Sequence, residues 1–71
     1  MPGNERTASA WNDLGWSLQQ LGRYEEAVAA YRKALEFKPA FPLARNNLDA
    51  AERQLDLKKS ERERQQVPAG R

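Results

Sequence analysis

The side chains that carry most enzyme chemistry are missing from this sequence, which has no histidine and no cysteine. Histidine is the commonest general base and metal ligand, and cysteine supplies nucleophilic thiolates, disulfides and zinc sites. Acids are plentiful, with ten Asp and Glu against twelve Lys and Arg. No two carboxylates pair inside an apolar setting that would raise a pKa for acid and base work. Non-covalent recognition is what remains. No catalytic residue, cofactor site or metal site is expected, and the chain reads as a non-enzyme.

The charge is equally informative about partners. Net charge is +2 and the pI about 9.3, but residues 1–55 carry seven basic and seven acidic side chains, and the excess, five against three, lies in residues 56–71. A neutral body lacks the one-sided basic face that phosphate contacts require, so nucleic acid is not an expected partner. The run from Lys58 to Arg64 includes Glu61 and Glu63, and mixed sign along a helix reads as a solvated face or a two-stranded helical contact. Apolar runs are far shorter than the roughly 20 residues that span a bilayer, and "MPGNERTAS" has no apolar core of a signal peptide. No membrane contact and a cytoplasmic location are the expectations.

Three helices must carry any such surface. A chain of 71 residues buries only about 60% of its unfolded surface, so its core must be thin. Ala10, Trp11, Leu14, Leu18 and Leu21 repeat with helical spacing and predict a first helix over about 8–21, with Thr7 or Ser9 as its cap and Gly22 ending it in a left-handed turn. Ala27, Val28, Tyr31, Ala34 and Leu35 predict a second over 24–37, with Glu25 and Glu26 in its first turn and Pro39 forcing Lys38 out of helical geometry. Pro42 opens a third, whose apolar stripe of Leu43, Ala44, Leu48, Ala51 and Leu55 continues as charged helix formers to about Gln66. Residues 1–7 are expected to be flexible, the end of the third helix to project past the packed body, and residues 67–71 to be disordered. The fold class is all-α.

Trp11, Leu14, Gly15, Ala27, Tyr31 and Pro39, supported by Gly22, Tyr24, Ala34 and Leu35, stand where the tetratricopeptide repeat has its signature positions. Residues 8–41 resemble one such 34-residue helix-turn-helix unit. Leu18 and Tyr31 replace the tyrosine and phenylalanine common in that family. Small Gly15 and Ala27 let the two helices cross closely, with Trp11, Leu14, Tyr31 and Ala34 interlocked around the crossing. Advancing by one repeat puts Arg45 where Trp11 stood and Asp49 where Gly15 stood. Charge at those positions needs water, so the third helix resembles the solvating cap that closes an array. The chain reads as one repeat plus a cap, a fragment of an α–α superhelix.

The family resemblance implies a protein-interaction module with a concave groove lined by first helices. By register the groove would be lined by Ser9, Asn12, Asp13, Trp16, Gln19 and Gln20, with Leu43, Asn46, Asn47 and Ala50 from the third helix. Trp16 and Leu43 are the expected apolar anchors, and the amides of Asn12, Gln19, Asn46 and Asn47 would meet a partner's backbone. The competing reading has Trp16 folding over Leu43 or Ala50 to cover the chain's own core. Asn47 matches the asparagine with which related chaperone-binding repeats hold a peptide backbone or C-terminal carboxylate. Asp13 would repel a carboxylate, and the lysines and arginines of that clamp are absent from the groove positions, so a carboxylate clamp is rejected.

Only "MPGNERT" precedes the first repeat, so nothing is expected to cap that repeat's open face. A stable solenoid is expected to need three or more repeats, which leaves three possibilities: the end of a longer array, a homo-oligomer, or a marginal monomer. A structural role, as a natural or engineered self-assembling building block, is the alternative to peptide recognition.

Overall fold

The structure, a computed structural model, describes residues 3–65. Its elements are α1 (Gly3–Gln20), α2 (Tyr24–Phe37) and α3 (Pro42–Gln65), and no strand occurs among the described residues. The fold is an all-α, tetratricopeptide-like hairpin followed by a long third helix. The molecule is a rod of 58 × 19 × 13 Å.

Helix α1 begins five residues before the expected start, with Gly3 rather than Ala8 as its first residue. Residues 3–7 therefore belong to the helix, and Thr7 and Ser9 lie inside it rather than at its cap. The cause is tertiary. Ala8 is wholly buried, while Glu5 sits in the first turn and reaches the Lys38 ammonium at 3.8 Å, just past the end of α2. The acid complements the positive end of the helix.

The α1–α2 turn closes as the sequence requires. Gly22 has φ +81, its N–H donates to Gln19 O at 3.0 Å, and the Arg23 N–H donates to Leu18 O at 2.9 Å. These two bonds satisfy the last carbonyls of α1, and the left-handed backbone between them favours glycine. At the other end of α2, Lys38 is extended at φ −143, ψ 87, and its N–H still donates to Ala34 O. Pro39 accounts for that conformation.

The core is a narrow seam of small residues around one large one. Ala8, Ala27, Ala34, Ala44 and Ala51 are fully buried, Val28 and Ala30 nearly so, and among the described residues Tyr31 is the one large side chain with no exposed surface. Gly15 lies against Tyr31 so closely that a β-carbon there would stand 2.6 Å from Cε1 of the ring. The missing side chain of α1 is thus the space the ring of α2 occupies. Val28, Tyr31 and Ala51, with half-buried Leu18, Leu48 and Leu55, join all three helices into one cluster. The exposed Arg32–Glu52 pair at 3.0 Å adds a link between α2 and α3.

Two parts of the expected packing differ. Leu14, expected to interlock in the core, is 45% exposed, and Trp11 is half-buried. They lie with Arg6, Thr7 and Ala10 around an open cleft of about 390 Å³. Both residues are on the side of α1 that two neighbouring helices do not reach. The second concerns the far end of α3, where residues 56–62 are exposed but the Lys58 ammonium still stands 5.5 Å over the Tyr24 ring centroid. Lys58, Lys59 and Arg62 face Arg23, Glu25 and Glu26 across a cleft of about 270 Å³. Gln66 and residues 67–71 lie outside the described residues.

Candidate binding groove

Asn12, Asp13, Trp16 and Ser17 follow one another at the spacing that keeps side chains on one side of a helix, and Leu43 and Asn47 are one turn apart on α3. These six residues line a cleft of about 360 Å³ between α1 and α3. That volume falls within the range of small ligand sites. Pro42 opens the first turn of α3 just before Leu43, and buried Ala44 and Ala51 hold the adjoining face of that helix in the core.

The floor of the cleft is an amide pair. Asn47 Nδ2 donates to Asn12 Oδ1 at 3.1 Å, and Asn12 is only 5% exposed. A buried amide without partners costs roughly 1–3 kcal/mol, so this bond ties α1 to α3 and fixes both side chains. Over the floor stand two apolar groups, Trp16 at 55% and Leu43 at 56% exposure. They share the cleft, and each keeps more than half of its surface exposed.

Of the charged residues, Asp13 alone lines this cleft. The ion pairs among the described residues join Arg23 to Glu26, Arg32 to Glu52, Lys33 to Glu36 and Lys38 to Glu5, so Asp13 is in none of them. Its carboxylate is exposed at the rim.

The remaining groove candidates part company with this cluster. Gln19 is turned to the core: its Oε1 accepts the Tyr31 hydroxyl at 2.8 Å. A buried phenol needs an acceptor, and α1 supplies it from a position that register alone assigned to the groove. The Gln19 Oε1 is thereby engaged within the fold, while the half-buried amide keeps its N–H groups. Ser9, Gln20, Asn46 and Ala50 are exposed but do not line the cleft. Ser17, which sequence reasoning passed over, does line it; its spacing of four from Asp13 was the available signal.

A helical hairpin crossed through a glycine, with a third helix laid against it and an amide-floored cleft between first and third helices, makes up a helical-repeat architecture. Residues 8–41, a little under half of the chain, match the family model described as "Tetratricopeptide repeat", and the α1–α2 hairpin has the form of such a unit. Three relatives are named "Peroxisomal targeting signal receptor". The protein from Kluyveromyces lactis is 58% identical over 38 residues, 54% of this chain and 7% of the relative. That from Candida albicans is 58% identical over 41 residues, 58% and 7% of the two chains. That from Saccharomyces cerevisiae is 55% identical over 38 residues, 54% and 6%. The match thus spans under a tenth of the length of these relatives. No solved structure matches significantly. No described helix is long and apolar enough to cross a membrane.

Proposed function

We propose that the cleft between α1 and α3 binds an extended peptide segment of a partner protein in a cytoplasmic setting. The observation that carries this reading is the placement of two half-exposed apolar groups, Trp16 and Leu43, above a fixed Asn12–Asn47 pair. Burying apolar surface contributes about 25 cal/mol per Å², and the two anchors supply it. Asn47 spends one N–H on Asn12 and keeps its carbonyl oxygen and second N–H for a partner's backbone. Asn12 positions it. Gln20, Asn46 and Ala50 extend the same surface toward solvent. The receptors that resemble this chain are named for a targeting signal, which agrees with recognition of a peptide.

Screening full-length protein against an array of extended nonapeptides tests the reading. Trp16→Ala is expected to weaken the hits at least tenfold, in keeping with an anchor worth about 2 kcal/mol, while the melting temperature stays within a few degrees. Unchanged affinity would remove the cleft from consideration.

The open side of α1 supports a second reading, in which the chain self-associates or adjoins another repeat. Ala10, Trp11 and Leu14 lie around one cleft there, with Leu21 71% exposed just past the end of the helix. Mass measured across concentration is expected to show dimers or larger species, and Leu14→Glu to return them to monomer. A monomer at every concentration would exclude self-association and leave the face to a neighbouring repeat.

A further inference from the structure

Resting on the peptide-binding reading above, the geometry points to a particular class of segment: one with a lysine or arginine two residues from a bulky apolar side chain. Asp13 is the one charged residue lining the cleft and takes part in none of the ion pairs among the described residues. The other polar groups around the cleft, Asn12, Ser17 and Asn47, are neutral. A cation entering there therefore meets an uncompensated carboxylate. It also meets Trp16, three residues on from Asp13 and more than half exposed; side chains at that spacing are about 5–6 Å apart. An ammonium or guanidinium over an indole face is attracted by the ring as well.

The spacing follows from extended-chain geometry. Residues i and i+2 of an extended segment point the same way about 6.6 Å apart, so a cation at Asp13 puts the next same-side residue against the apolar lining of the cleft, which Trp16 and Leu43 supply. A negatively charged residue in the first place is repelled by the same carboxylate. Selectivity is therefore electrostatic at one position and apolar at the other.

Two nonapeptides with blocked ends, in a Gly/Ser background, separate the possibilities: one carrying Lys-Ser-Phe and one Glu-Ser-Phe. Binding to the full chain is followed by the NMR shift of the Trp16 indole N–H. The lysine peptide is expected to bind about tenfold tighter at low salt, with the gap narrowing in 0.5 M salt as the charges are screened. Asp13→Asn should close the gap and Asp13→Lys should reverse it; Asp13 is exposed, so neither change should alter the melt. Equal affinities for the two peptides, or a gap that survives Asp13→Asn, overturn the cation preference. If equal binding is lost in Trp16→Ala, where binding is followed by the side-chain amide shifts of Asn47, the cleft itself stands and only its charge selectivity falls. No shift of Trp16 with either peptide overturns both.

Discussion

Tyr31→Ala is expected to leave most of the chain unfolded at 25 °C, with the helical circular dichroism largely lost. Tyr31 is a large side chain with no exposed surface, and it belongs to the cluster that joins all three helices. Replacing a buried aromatic by alanine costs about 3–5 kcal/mol, and a single core in a chain this short rarely supplies more than about that amount. The substitution therefore consumes the whole margin. A cooperative melt retained near the parent temperature would show that Tyr31 is not the centre of the core.

Tyr31→Phe separates the ring from the hydroxyl. It removes the bond to Gln19 at about 1 kcal/mol, which lowers the melting temperature of a domain this size by roughly 4–8 °C. It also tests the alkaline limb. Burial raises the Tyr31 pKa above its ordinary 10.0, so the folded chain holds that proton more tightly than the unfolded one. The resulting stability is complete below the unfolded pKa and is lost as pH rises through the folded one. Stability should fall above about pH 10, and it should fall less steeply in Tyr31→Phe.

Gly15→Ala is expected to destabilise the fold even though alanine is the better helix former by about 1 kcal/mol. The added carbon would lie 2.6 Å from Cε1 and 2.7 Å from Cδ1 of Tyr31. That ring cannot swing away, since it is enclosed by the core and its hydroxyl is held by Gln19. Relief requires α1 and α2 to separate, and overpacking of this kind costs about 1–3 kcal/mol. The melting temperature should drop for Gly15→Ala and further for Gly15→Val. A rise in Gly15→Ala would mean that the helices cross less closely than described.

Gly15 and Tyr31 also show how far sequence alone can reach. A small residue on one helix and a ring on the next, inside a pattern of helical period, identify a close crossing before any coordinates exist. Gly22 and Pro39 mark the breaks for the same reason: each restricts or frees its own backbone. Helix type, the two stops and the small-against-large seam are local properties of residues and their spacing.

The tertiary structure decided what lies opposite each side chain. Thr7 and Ser9 are good caps locally, yet α1 starts at Gly3 because Ala8 is buried and Glu5 meets Lys38. Gln19 has the register of a groove residue, but Tyr31 claims its oxygen. Asn12 and Asn47 are 35 positions apart and become one amide pair only when α3 returns beside α1. Leu14 has a core residue's spacing and remains 45% exposed, because two helices cover only one side of α1. Periodicity determined which face a residue occupies in this protein; only the packed helices decided what that face meets, since a partner distant in the chain leaves no mark on local spacing.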